Sequence, residues 1–206
     1  MNNLSEAEVF FNTTIRKFEC MTVSQAMSIM KKYMNCSFSQ TNIILSQLAA
    51  RENLMIKEDK YIIAGGKRDG AKIRINRGLV HCLYYAIDQI ETTDEFEMMY
   101  QPLNGATLAY VSGNRMYQLL YLTSDTLMKA AILQNQYNDS IKKLNKHASK
   151  EDFTYTTCFV FGPKESEENV LTKLDSLDIS MPHKIIFVKT KNLTDKPQYH
   201  IYQPSE

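Results

Sequence analysis

Ala7, Phe11, Thr14, Ile15 and Phe18 recur at three- and four-residue spacing, which buries one face of a helix. Ser5 followed by Glu8 closes its start as a capping box, in which each side chain satisfies a backbone donor. Thr22 with Gln25 repeats that logic, and Val23, Ala26, Met27, Met30, Tyr33 and Met34 form the apolar stripe of a second helix. Lys31 and Lys32 fall near its end, where the helix dipole favours cations. A turn over 35–38 leads to Ser39, a good N-cap, and to a third helix ending near residue 52, with Ile44, Leu45, Leu48 and Ala49 inward.

The pattern then changes to short alternating runs. Residues 53–57 and 61–64 read as strands, 65–70 as a Gly-flanked turn and 72–75 as a third strand. Two capped helices followed by a hairpin with a basic, glycine-rich turn have the order of a winged helix-turn-helix. Leu79, Val80, Leu83, Tyr84, Ile87 and Ile90 mark an amphipathic helix over 78–91 that bridges to the second half, with the boundary at 92–95. Strands at 97–101, 107–111 and 116–122 form a meander separated by the turn sequences Pro102-Leu103-Asn104-Gly105 and Ser112-Gly113-Asn114-Arg115. A long helix capped at 123–125 follows, then a strand at 155–161, a helix at 165–176 and strands at 184–189 and around 198–202. The strands at 155–161 and 184–188 are apolar enough to be central in a mixed sheet covered by helices. The expected fold is α+β: a winged helix-turn-helix domain with its bridging helix over 1–92, then an α/β domain with a mixed sheet over 93–206.

Composition adds little until it is divided along the chain. The 206 residues are 44% hydrophobic and 23% charged, ordinary for a globular protein, and the net charge of +1 gives no whole-molecule field toward nucleic acid or an anionic membrane. Residues 1–92 hold 12 Lys/Arg against 9 Asp/Glu, a balance of +3, and residues 93–206 hold 12 against 14, a balance of −2. The positive excess travels with the helix-turn-helix. Lys129, Lys142, Lys143 and Lys146 on the long helix are read as a solvated face.

Four cysteines, Cys20, Cys36, Cys82 and Cys158, lie far apart with no CxxC spacing, so buried free thiols are expected rather than zinc ligands or disulfides. The start MNNLSEAEVFF lacks a signal-peptide pattern and no apolar run approaches a membrane span, so the chain is expected to be cytoplasmic with no membrane partner.

Candidate chemistry concentrates on the third helix and the turn after it. Ser39, Gln40, Asn42, Ser46, Gln47 and Arg51 take its outer face; amides and hydroxyls there suit base edges in a major groove, and they suit a solvated face equally well. Between Lys60 and Arg77 stand six basic residues and one acid, Asp69, which place Lys67, Arg68, Lys72 and Arg74 to contact phosphates. Double-stranded DNA is the expected partner. A winged helix also docks protein partners, and the nearly neutral outer face keeps that alternative open. The bridging helix offers a homodimer contact.

No catalytic constellation emerges, and no cofactor or metal is expected. His81, His147, His183 and His200 are isolated, and adjacent side chains on a helix diverge by about 100°, so His81 and Cys82 cannot act as base and nucleophile. Gly162-Pro163-Lys164-Glu165 lacks the GxxxxGK[ST] or GxGxxG pattern of a phosphate loop, and Glu165, Glu167 and Glu168 complement a helix dipole.

The order helix, three strands, helix, strand, helix, strand resembles the restriction-endonuclease-like core. With a winged helix in front and the segment TVSQA…SQ…L…ENL…Y, the chain resembles the replication-relaxation-like group of bacterial plasmid and mobile-element proteins. That resemblance implies a role in replication, transfer or transcription control of a mobile element. A nuclease of this type would need an Asp on the second strand and a Glu-x-Lys or Asp-x-Lys on the third to hold a metal; 107–111 and 116–122 carry no carboxylate, so the resemblance implies a non-catalytic version and not an enzyme.

Overall fold

The structure, a computed structural model, describes residues 5–65, 75–102, 105–113, 115–144 and 155–203, with 140–144 as backbone only. It is a mixed α+β fold with six α-helices and two sheets among these residues. The first half runs α1 (Glu6–Phe18), β1 (Cys20–Thr22), α2 (Val23–Met34), α3 (Phe38–Ala50), β2 (Leu54–Lys57) and β3 (Tyr61–Ala64). Both predicted capping boxes close: Ser5 Oγ accepts from Glu8 N while Glu8 Oε2 accepts from Ser5 N at 2.7 Å, and Thr22 with Gln25 does the same at the head of α2.

The first sheet is antiparallel in the order β1-β3-β2, with Cys20 opposite Ile63 and Leu54 opposite Ala64. Among the described residues its third strand is β1, between the first two helices, which the sequence pattern did not predict. Of the predicted strand over 72–75, Ile75 lies outside any strand, and 72–74 fall outside the described residues. β1 carries only three residues, all buried, too few for alternation to mark it, and Thr22 doubles as the N-cap of α2. The β2–β3 connection is the three residues Glu58-Asp59-Lys60, the first two at positive φ, with Lys60 N donating to Lys57 O at 3.1 Å and Lys57 paired with Tyr61.

α4 (Arg77–Gln89) joins the halves. Every residue from Gly78 to Ile87 is buried, so the amphipathic helix predicted here is covered on all sides in its middle, with only its ends, Arg77, Asp88 and Gln89, exposed. Toward the first half, Gln25 Nε2 donates to Val80 O at 2.7 Å and Lys32 Nζ reaches the carbonyls of Ile87 and Ile90. Lys32 thus satisfies the terminal carbonyls of α4, not those of its own helix. Toward the second half, Tyr85 meets Tyr199 edge-on at 5.2 Å and His81 stacks on Tyr121 at 5.8 Å.

The predicted strand over 97–101 begins instead inside a 3-10 helix at Asp94–Met98, held by Phe96 against Phe10, Phe18 and Tyr33, and of its remaining residues Tyr100 bridges, to Ala109. The remaining elements follow the predicted order: β4 (Leu108–Ser112), β5 (Arg115–Leu122), α5 (Met128–Leu144), β6 (Tyr155–Phe161), α6 (Glu167–Asp175), β7 (His183–Lys189) and β8 (Gln198–Tyr202). The five-stranded sheet keeps sequence order, β5, β6 and β7 parallel and both edge strands antiparallel. Alternation divides its two faces. Leu120, Leu122, Phe159, Phe161, Ile185 and Phe187 pack under α5 and α6, while Leu119, Cys158, Val160, Ile186 and Val188 join one core with α4 and the first-half helices.

The four thiols are free; Cys20, Cys82 and Cys158 are buried as expected, and Cys36 is half-exposed, which corrects the expectation for that one. Burial pushes the Cys158 thiol up to about 12. Among the described residues no helix is long and apolar enough to cross a membrane.

Candidate nucleic-acid interface

α3 begins earlier than its sequence suggests. Ser37, not Ser39, is the N-cap: its Oγ accepts from Gln40 N at 3.3 Å, and Gln40 Oε1 accepts from Ser37 N at 2.8 Å. Ser37 and Ser39 both precede a helical run, and the choice falls on the one with a glutamine three residues on. Thr41 turns inward and donates to Ser37 O, which reinforces the first turn.

The six predicted residues of this helix then separate into two groups. Ser39, Asn42, Ser46 and Gln47 are exposed and make no side-chain hydrogen bond among the described residues. Ser39, Asn42 and Ser46 follow one another at three- and four-residue spacing along the outward side of the helix, with Gln47 beside them. Gln40 is exposed too, but its carbonyl oxygen is engaged in the cap, leaving only its amide NH2 to offer. Arg51 has left the helix and donates from Nη1 to Glu8 Oε1 at 3.0 Å, tying the end of α3 to the first turn of α1. The Glu8 side chain is 5% exposed. The Ser5 amide, and then the Arg51 charge, hold its carboxyl below the usual range against the opposing effect of burial. Arg51 thus serves an internal ion pair through Nη1, while the residue itself stays exposed.

Two apolar residues complete the same surface. Phe38 is 69% exposed and Ile43 56%. Ile43 was legible in principle: it stands four residues from both Ser39 and Gln47, so a helix that turns those outward must turn Ile43 outward with them. Phe38, read as part of a turn, is the first residue of the helix and leans over a shallow groove shared with Met27, Lys31 and Cys36.

The predicted basic contacts Lys67, Arg68, Lys72 and Arg74 lie outside the described residues. The hairpin that is described, β2–β3, has Glu58 and Asp59 at its tip with Lys57 and Lys60 beside them. The two acids and two lysines of this turn balance in charge. Among the described residues no group of three or more His, Cys, Asp and Glu converges as a metal site. No protein-family model matches the chain, and no curated protein matches it in sequence.

Proposed function

We propose that the chain is a cytoplasmic protein that binds double-stranded DNA through a winged helix formed by its first half. The observation that carries this reading is the outward group Ser39, Asn42, Ser46 and Gln47, free of internal partners among the described residues and borne on the second helix of a closely joined pair. A three-stranded sheet in the order β1-β3-β2 backs that pair, which is the support a recognition helix needs. Amides on such a helix pair with adenine edges, and the basic run Lys67, Arg68, Lys72 and Arg74 supplies phosphate contacts. Under this reading the second half is a restriction-endonuclease-like scaffold without metal chemistry. The process it serves is replication, transfer or transcription control of a mobile element, as the resemblance to the replication-relaxation-like group implies.

Fluorescence-anisotropy titration with mixed-sequence duplex DNA at several salt concentrations tests it. Binding should weaken steeply with salt, and changing Lys67 and Arg68 together to Ala should reduce the log–log slope by about 2, roughly one for each phosphate that these side chains neutralise. No binding at low salt would overturn the DNA reading. The second reading, a protein-docking winged helix, is favoured by the exposed Phe38 and Ile43 and by the engagement of Arg51 with Glu8. It predicts that Phe38→Ser with Ile43→Ser leaves any DNA affinity unchanged.

A further inference from the structure

β5, β6 and β7 run parallel, and their carboxyl ends open on one edge of the sheet at Thr123, Gly162 and Thr190. In open α/β sheets the crevice at this edge forms where strand order reverses; this sheet keeps sequence order, and the space is closed instead by α4 and the β2–β3 hairpin lying against the departing loops. Here the edge holds a cavity of about 680 Å³. Its walls come from Lys60 and Tyr61 at the β2–β3 hairpin, Arg77 and His81 on α4, Tyr121, and the loops that follow the three strands.

Four cations from four separate segments line this space: Lys60, Arg77, Lys164 and Lys191, none in an ion pair among the described residues. Converging like charges around one space is unfavourable until an anion enters. The one carboxylate in the lining, Glu165, is already engaged, accepting from Ser124 N at 3.0 Å and from the Ser124 hydroxyl. A second observation is independent of these charges. His81 is 4% exposed and borders the cavity, and neither ring nitrogen has a hydrogen-bond partner among the described residues. The sealed, unpartnered side-chain atoms among the described residues are Asn12 Oδ1, Tyr33 Oη and Tyr199 Oη; the His81 nitrogens are not among them, so they touch open space, and the cavity that the ring borders is where a partner can reach them.

We propose that the cavity is a phosphate monoester site, with His81 donating to a phosphoryl oxygen and Lys60, Arg77, Lys164 and Lys191 neutralising its charge. The 162–165 loop lacks the glycines of a backbone-lined phosphate loop, and side-chain cations do that work here. Such a group occurs on a mononucleotide and at the 5′ end of a nucleic-acid strand. α3 contributes nothing to the walls, so the site stands or falls separately from the DNA reading.

The test is NMR observation of the His81 imidazole in the full chain, titrated with inorganic phosphate and with AMP at constant ionic strength, chloride serving as control. A saturable shift is expected with both, weakened about tenfold or more in Lys164→Ala/Lys191→Ala, whose melting temperature without ligand should not fall, since both lysines are exposed and their removal relieves like-charge repulsion. The absence of a saturable shift, or equal affinity in the double variant, overturns the proposal. A 5′-phosphorylated oligonucleotide that displaces AMP, where its unphosphorylated twin does not, assigns the site to strand ends; displacement by neither assigns it to the free nucleotide. Equal displacement by both means that the cavity reads backbone diesters, and the monoester proposal falls.

Discussion

Tyr121 lies across Gly78 so closely that a Cβ on residue 78 would stand 2.8 Å from the Tyr121 Cγ and Cδ1. Gly78 sits inside α4, so its value is close approach and not backbone freedom. The same ring ends against Gly162, where the Tyr121 hydroxyl occupies the space a Cβ would need. Gly78→Ala gains helix propensity of about 0.5–1 kcal/mol but overpacks a buried contact at a cost of about 1–3 kcal/mol. A net loss of about 1–2 kcal/mol is expected, read as a lower urea midpoint at unchanged slope. A midpoint at or above that of the parent would show that the ring swings aside freely.

Elements that a few neighbouring residues decide were legible in the chain. The capping boxes at Ser5 and Thr22, the stripe of α1 and the buried runs of β6 and β7 need only local pattern. What depended on distant partners was not. β1 is a strand because Ile62 and Ile63, some forty residues on, pair with it. The segment at 94–98 curls into a 3-10 turn because Phe96 is drawn among Phe10, Phe18 and Tyr33. Periodicity puts Arg51 on the outer face of α3 and cannot see Glu8 across the fold.

The N-cap assignment separates two serines two residues apart. Ser37→Ala should cost about 1 kcal/mol in chemical denaturation, the worth of a lost cap, while Ser39→Ala should change stability by less than about 0.5 kcal/mol. If Ser39→Ala proves the costlier, α3 starts later than the structure has it and the outward group must be redrawn.

Arg51 and the outward amides should part company in the same manner. Arg51→Ala removes a partner from a nearly buried carboxylate and is expected to lower stability by about 1 kcal/mol with no specific effect on DNA affinity. Asn42→Ala with Gln47→Ala should leave the melting temperature alone and weaken duplex binding at least about tenfold, since one bidentate base contact is worth about 1–3 kcal/mol. An anisotropy titration beside a thermal melt on both variants decides it, and the opposite assignment of effects would refute this division of labour.

His81 makes stability depend on pH in a window above the carboxylates. Burial first, and then the Arg77 charge, lower its pKa from 6.5 to about 4. Lys60, Lys164 and Lys191 border the same cavity, and Tyr121 covers one ring face. The folded state resists a proton that the unfolded chain accepts, so the stability held above pH 6.5 is lost as pH falls toward 4. The loss amounts to about 3 kcal/mol at most. Unfolding free energies from pH 7 to pH 4 in phosphate-free buffer, compared with His81→Phe, check it; equal slopes in the two proteins would show that His81 protonates without penalty.

α4 carries a consequence for how the molecule comes apart. Val80, Tyr84 and Ile87 answer to α2 and β1, while Gly78, His81, Cys82 and Tyr85 answer to the large sheet, so no side of this helix was built to meet water. A chain cut after residue 92 would leave the sheet-facing side of α4 bare and sticky, and a chain begun there would leave a matching trough over Leu119, Cys158 and Val160. Neither piece could be traded between proteins as a ready-made cassette. The amides of α4 should be among the last to exchange with deuterium, releasing only when the whole chain opens.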